Sequence, residues 1–241
     1  MSNLEIASDA AELARTVGSA LVRRLGEIQA EGREPSLVLT GGTIALEIYR
    51  AAAATAPGDL DWSRVDFWWG DERYVPADSS DRNDRGAGLA LLDHVGVDPM
   101  RVHAMPAADE AHHDVSVAAA SYGELLRTQG TGMFDLVLLG LGPDGHVASL
   151  FPGFPQLEGE DVALPVTASP KPPPVRITLG FPTLNRTREV WFLVSGEEKA
   201  DAVARALAET GSVAETPARG ITCEDTTWYL DRAAAGSLPP R

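Results

Sequence analysis

Apolar residues recur at two different intervals along this chain, and the interval sorts most of it into elements. Leu13, Val17, Leu21 and Leu25 fall four apart, which puts them on one face of a helix from about Ala10 to Ala30. Ser8 or Asp9 can cap its start, and Gly32 and Pro35 end it. Unbroken apolar runs read instead as buried strands: "LEIA" (4–7), "SLVLT" (36–40), "VDFWWG" (65–70), "DLVLLG" (135–140), "VRITLG" (175–180), "EVWFLVSG" (189–196) and "TTWYLD" (226–231). Further helices are predicted from Thr43 to about Thr55, through "GLALLDHV", over roughly 114–128 and over "EEKADAVARALAE" (197–209). A polar loop, "DERYVPADSSDRND", follows the third strand, and a long loop runs from the fourth to about Pro174. Strands alternating with helices imply an open, mainly parallel α/β sheet with helices on both faces. No repeat and no convincing linker interrupts the pattern, so residues 1–241 are expected to form one domain.

Composition narrows the function classes. Hydrophobic residues make up 44% of the 241 and charged residues 23%, enough to bury a sizeable core and too apolar for disorder. The net charge of −15 argues against a nucleic-acid surface, which needs basic patches. It leaves a small anionic ligand open, because a pocket answers to its local charges. No charged-then-apolar leader and no apolar run of membrane-spanning length is visible, and Cys223 is the single cysteine. A cytoplasmic protein without an internal disulfide and with no membrane contact is the expectation. Cys223 itself reads as a small buried hydrophobe.

In open parallel sheets, ligands gather outside the carboxyl ends of the strands. Three strand ends here carry chemistry. "SLVLT" runs into Gly41-Gly42-Thr43 and a helix, so a tight turn, free N–H groups, a helix N-terminus and the Thr40 and Thr43 hydroxyls fall together. That combination suits a phosphate cradle, and it also suits an ordinary capped turn. "DFWWG" runs into Asp71-Glu72-Arg73, and "DLVLLG" into "LGPDGHVASLFPG". The last contains Gly140-Leu-Gly142-Pro-Asp-Gly145, which matches the spacing of a dinucleotide fingerprint. The context fails, since Pro143 lies inside it and Pro152 and Pro155 stop the long helix that must follow. No nicotinamide cofactor is expected.

What remains is His146 in a glycine-permitted turn with Asp144 two positions before it. An imidazole exchanges protons near neutral pH, and Asp144 can orient it or serve the turn backbone. His94, His103, His112 and His113 have no comparable setting, and no cluster has metal-ligand spacing. Ser149 lacks a nucleophile elbow and reads as a turn or cap residue. Only Lys171 and Lys199 of the 20 basic residues are lysines. Lys171 and Arg176 flank a proline run in "SPKPPPVR", a stiff loop that can present two cations to an anion or lie as a solvated surface loop.

"FDLVLLGLGPDGHVASLFPG", "DERYVPADSSDRN", and "SPKPPPVRITL" followed by "VWFLVSGEEKA" together resemble successive signatures of the 6-phosphogluconolactonases. That family resembles the glucosamine-6-phosphate deaminases and shares their α/β fold, and the resemblance covers essentially the whole chain. One departure is Thr40-Gly41-Gly42-Thr43-Ile44-Ala45, where the family usually reads Ser-Gly-Gly-Ser-Thr-Pro. The Thr43 hydroxyl is kept; the next hydroxyl and the proline are lost.

The resemblance implies hydrolysis of 6-phospho-D-glucono-1,5-lactone to 6-phosphogluconate in the pentose phosphate pathway, without metal or redox cofactor. It implies His146 as general base, Asp144 holding its ring, and Arg73, Lys171 and Arg176 as anion ligands beside the Gly41-Gly42-Thr43 turn. Asp71 would position sugar hydroxyls or Arg73, and Asn83 would touch substrate. Lys199 reaches the site or stays on a helix surface. The expected partner is the sugar-phosphate lactone, with the protein a monomer or weak homodimer. Two rivals remain: an amino-sugar-phosphate deaminase or isomerase, and a non-catalytic sugar-phosphate sensor. Against the first, "GHVASLFPG" lacks the Asn-Glu pair that deaminases carry after the same Gly-His.

Overall fold

The computed structural model describes residues 3–109 and 114–238. In chain order the main elements are β1 (Asn3–Ala7), α1 (Ala10–Ala30), β2 (Ser36–Leu39), α2 (Thr43–Ala54), β3 (Asp66–Trp69) and β4 (Asp71–Arg73). They continue with α3 (Asn83–Ala87), α4 (Val115–Gln129), β5 (Phe134–Leu139), β6 (Ala163–Val166) and β7 (Arg176–Leu179). The chain closes with α5 (Phe181–Leu184), β8 (Thr187–Val194), α6 (Ala200–Leu207) and β9 (Thr226–Asp231).

Six strands form one sheet in the order β1-β9-β8-β5-β2-β3, and every pairing in it is parallel. The central strands β2 and β5 are buried at every position, as their unbroken apolar runs require of strands covered on both faces. α1 starts where Asp9 accepts the Glu12 N–H at 2.8 Å and Glu12 reaches back to the Ser8 N–H at 2.7 Å, a reciprocal cap. α1 and α2 pack so closely that a Cβ on Gly18 would stand 2.8 Å from that of Ala51. α4 packs on β6 and β7.

A second sheet, β4-β7-β6, is antiparallel, and it corrects two expectations. The "VRITL" strand belongs to this small sheet and not to the parallel one, and the segments read as loops at 71–73 and before Pro174 contain β4 and β6. Both strands are only three or four residues long and carry charge or proline, "DER" and "ALPV", so no apolar period marks them. Gly70 is the seam: its N–H donates to Leu39 of the large sheet at 3.0 Å, and its carbonyl accepts from Leu179 of the small one at 2.8 Å. The helix expected at 197–209 is a single tight turn at Glu197–Lys199 followed by α6.

Candidate active site

Parallel strands end on the same side, so the loops after β2, β5 and β8 meet, and the small sheet closes the space from one flank. Between them lies a cleft of about 620 Å³. Gly41, Gly42 and Thr43 line it, as do Asp71, Arg73, Asn83, His146, Lys171 and Arg176. Every expected site residue except Asp144 is therefore on its wall, and Asp144 stands behind His146.

The turn after β5 is built around the imidazole. The Gly142 N–H donates to the His146 carbonyl at 2.9 Å, and Gly145, at φ +89°, donates to the Gly142 carbonyl at 2.9 Å. His146 Nδ1 and Asp144 Oδ1 are 2.5 Å apart, while the His146 backbone N–H is 3.4 Å from the same oxygen. Asp144 thus holds the ring. With Nδ1–H donating to the carboxylate, Nε2 keeps its lone pair, the tautomer a general base needs. Burial pushes the Asp144 carboxyl up, but the ring and backbone of His146 and the charge of Lys171 bring it down to about 2. The Phe151 ring sits 4.6 Å from the imidazole centre and limits its retreat. Ala148, on the cleft wall, has φ +49°, a left-handed conformation that a non-glycine residue keeps only where its surroundings enforce it.

The β2 end forms the opposite wall. Gly42, at φ +102°, is the cap of α2 and supplies no side chain, so the first N–H groups of the helix have no capping partner from it. The Thr40 N–H and carbonyl are both tied to the buried Tyr49 hydroxyl, at 2.9 and 2.8 Å, which fixes where the turn begins. A partial positive charge at this helix end faces the cleft.

The cations differ in how they are held. Arg73 donates from NH1 to the Asp81 carbonyl at 2.5 Å, and its Nε is buried without a protein acceptor. Lys171 and Lys199 both line the cleft. Burial, and then the neighbouring Lys171 ammonium, lower the Lys199 pKa against the pull of Glu198 and Asp144. Arg176 is different. It is 4% exposed, and its three nitrogens are committed: Nε to the Pro173 carbonyl at 3.1 Å, NH2 to the Lys171 carbonyl at 3.1 Å, and NH1 to Ser149 Oγ at 3.4 Å. It lines the cleft, where it was expected as an anion ligand, and its guanidinium also clamps the carbonyls of the proline loop that carries Lys171.

Two buried contacts that brace the site were not foreseen. Ser149 lies in a turn, as expected, but its side chain is wholly buried and donates to Asp71 Oδ2 at 2.6 Å, joining β4 to the histidine loop. Asp71 pairs with Ser149 and stands 3.9 Å from Arg176, rather than with Arg73. Glu72 is also fully buried. Burial and the adjacent Asp84 carboxylate push it up to about 7, against Arg82 and the N–H groups of Asn83 and Asp84. The triplet Asp-Glu-Arg was visible as charged; strand alternation within it, which turns Glu72 away from the cleft, was the signal.

The remaining candidates fall outside the site. His103 is buried, stacked 3.9 Å from Trp68 and bonded to Asp66 at 3.1 Å, and His94 bonds the Leu89 carbonyl at 3.0 Å. His112 and His113 lie outside the described residues. Cys223 is half-buried, not fully buried, with its thiol against backbone carbonyls. Among the described residues, no three His, Cys, Asp or Glu gather as a metal site, and no helix is long and apolar enough to cross a membrane.

At the carboxyl edge of a parallel α/β sheet, then, a histidine–aspartate pair faces a helix end that has no side-chain cap. The chain belongs to the family described as glucosamine-6-phosphate isomerases/6-phosphogluconolactonase, whose profile matches residues 8–229. Within that family it is 44% identical over 238 residues to the 6-phosphogluconolactonase of Streptomyces coelicolor, covering 94% of this chain and 91% of that one. The 6-phosphogluconolactonase of Mycobacterium tuberculosis is 42% identical over 245 residues, 99% of each chain. Among solved structures, 6-phosphogluconolactonase from Thermotoga maritima superposes with a TM-score of 0.84 at 27% identity, covering 96% of this chain and all of that one.

Proposed function

We propose that this chain hydrolyses 6-phospho-D-glucono-1,5-lactone to 6-phosphogluconate, the lactone-opening step of the oxidative pentose phosphate pathway. Its single domain would act in the cytoplasm as a monomer or weak homodimer. The observation that carries the reading is the 2.5 Å contact of His146 Nδ1 with Asp144, in a cleft whose other walls present Arg73, Lys171, Lys199 and the start of α2. The identity to the two bacterial lactonases supports the choice of substrate.

Opening a lactone takes an activated water, charge stabilisation at the carbonyl oxygen and a proton for the departing ring oxygen. His146 Nε2 removes a proton from water as its oxygen bonds to C1, and the carbonyl electron pair moves onto oxygen. Asp144 stabilises the imidazolium so formed. The tetrahedral intermediate then collapses, the C1–ring-oxygen bond breaks, and the imidazolium returns its proton to that oxygen. The product is a hydroxy acid that ionises in water. Donors fixed in advance stabilise the developing oxyanion, and the nearby cations supply them, while the α2 turn and the remaining cations take the phosphate.

Incubating purified protein with fresh 6-phosphogluconolactone, and separately with glucosamine 6-phosphate, tests the reading. Rapid opening of the lactone with no ammonia from the amino sugar is expected. Ammonia release without lactone opening would establish the deaminase rival, and binding of both without turnover would establish a sensor.

A further inference from the structure

Three consecutive residues of β4 are each tied to the segment 81–84. The Asp71 carbonyl accepts from Asn83 Nδ2 at 2.9 Å, and Arg73 NH1 donates to the Asp81 carbonyl at 2.5 Å. Between them, the buried Glu72 carboxylate collects three backbone N–H groups. Oε1 takes Arg73 and Asn83, both at 2.7 Å, and Oε2 takes Asp84 at 2.8 Å. The strut continues to the opposite wall of the cleft. A Cβ on Gly41 would stand 1.9 Å from Asn83 Oδ1, so the carboxamide rests directly on the turn that opens α2.

We propose that Glu72 is a positioning residue for anion capture: its carboxylate staples β4 to the 83–84 turn and so fixes Arg73 relative to the Gly41-Gly42-Thr43 cradle. The inference deepens the lactonase reading and rests on it for the identity of the substrate, though the anion site it describes can be probed without turnover. Glu72 touches no reacting atom. Its effect passes through Arg73, whose own N–H it holds, and through Asn83, which spaces the two walls. A carboxylate is needed because only an acceptor on both oxygens serves all three donors. A glutamine turned either way presents its NH₂ to at least one of those N–H groups. An aspartate keeps the charge but is one methylene too short to reach both segments.

Glu72→Gln and Glu72→Asp, compared with wild type, test the staple. For both variants the KM for the phosphorylated lactone and the Kd for inorganic phosphate should rise by roughly tenfold, with kcat within about threefold of wild type. Turnover of the unphosphorylated lactone should be unchanged. Wild-type phosphate affinity and KM in both folded variants would overturn the proposal. So would a normal Glu72→Asp beside an impaired Glu72→Gln, which would show that charge and not reach matters. Should neither variant fold, hydrogen exchange on the wild type decides. Saturating inorganic phosphate should slow exchange of the Arg73, Asn83 and Asp84 amides, because coupling between staple and anion site is reciprocal; unchanged exchange would overturn it. If wild type opens neither lactone, the lactonase reading fails, and the phosphate measurements still judge the staple.

Discussion

Adding one methyl group at Gly142 should nearly abolish turnover while leaving the protein folded. Its φ is not in the left-handed region, so alanine is compatible with the backbone there. The obstacle is purely steric. A Cβ at this position would lie 2.0 Å from His146 Nδ1, 2.1 Å from Cε1 and 2.5 Å from Asp144 Oδ1. Ordinary contact begins at 3.4 Å, so the ring must retreat by about 1.4 Å, and the aspartate must move as well. The imidazole can swing about its side-chain bonds, so the clash is relieved by turning the ring away rather than by unfolding. The Phe151 ring, 4.6 Å from the imidazole centre, narrows the space into which the ring can move. A displacement of this size at a reacting group costs on the order of a hundredfold in rate. As a hypothesis, Gly142→Ala therefore lowers kcat about a hundredfold, with KM and the thermal midpoint close to wild type. The assay is proton release on lactone opening, with circular dichroism on the same samples. A Gly142→Ala enzyme with near wild-type kcat would refute the reasoning, because the His146–Asp144 pair would then tolerate what the geometry forbids.

Further expectations concern the same groups. His146→Ala should lower kcat by roughly 10²–10⁴-fold, the usual contribution of a general base, with 6-phosphogluconate binding retained; a variant keeping most of its turnover removes His146 from the mechanism. The Asp144 carboxyl is depressed from 3.8 to about 2 on folding, so its stabilisation is complete above about pH 5 and is lost as pH falls through that range towards 2. The difference in thermal midpoint between wild type and Asp144→Asn should accordingly shrink between pH 5 and pH 2, and a constant difference would contradict this assignment. Lys171→Ala should erase much of the preference for phosphorylated over unphosphorylated lactone without loss of stability. Arg176→Ala should lose that preference and also about 3 kcal/mol of stability, because Asp71 and the loop carbonyls lose a buried partner; a stable Arg176→Ala protein, judged by urea unfolding, would return Arg176 to the role of a simple ligand.

The parallel sheet was legible because its inner strands are covered on both faces and so carry unbroken apolar runs, as in "LVLL" of β5. The small sheet was not legible. β4 and β6 take their stability from pairing with β7, a long-range contact, and "DER" and "ALPV" carry no period of their own. The site divides in the same way. Residues that face the ligand could be found from the rule about strand ends, which picked out His146 and the Gly41-Gly42-Thr43 turn. Roles set by partners distant in the chain could not. Nothing local shows that the Arg176 guanidinium also turns back on the proline-loop carbonyls, and Ser149 meets Asp71 from 78 positions further along the chain. The spacing of Asp144 and His146 allowed either a ring contact or a turn contact, and only coordinates distinguish 2.5 from 3.4 Å.

Gly70, bonded to Leu39 on one side and Leu179 on the other, marks where the backbone first leaves the large sheet for the small one. His146, Asp144, Lys199 and the α2 cradle all hang from the large sheet, whereas Arg73, Lys171 and Arg176 travel with the small one. The wall of the cleft is thus shared between two sheets whose chain segments interleave, with β5 of the large sheet lying in sequence between β4 and β6 of the small one. Excising Gly70 to Gly180 would take β5, Asp144 and His146 with it, so a laboratory seeking lactonases for other acylated sugars should alter the small sheet by point substitutions in β4, β7 and the proline loop.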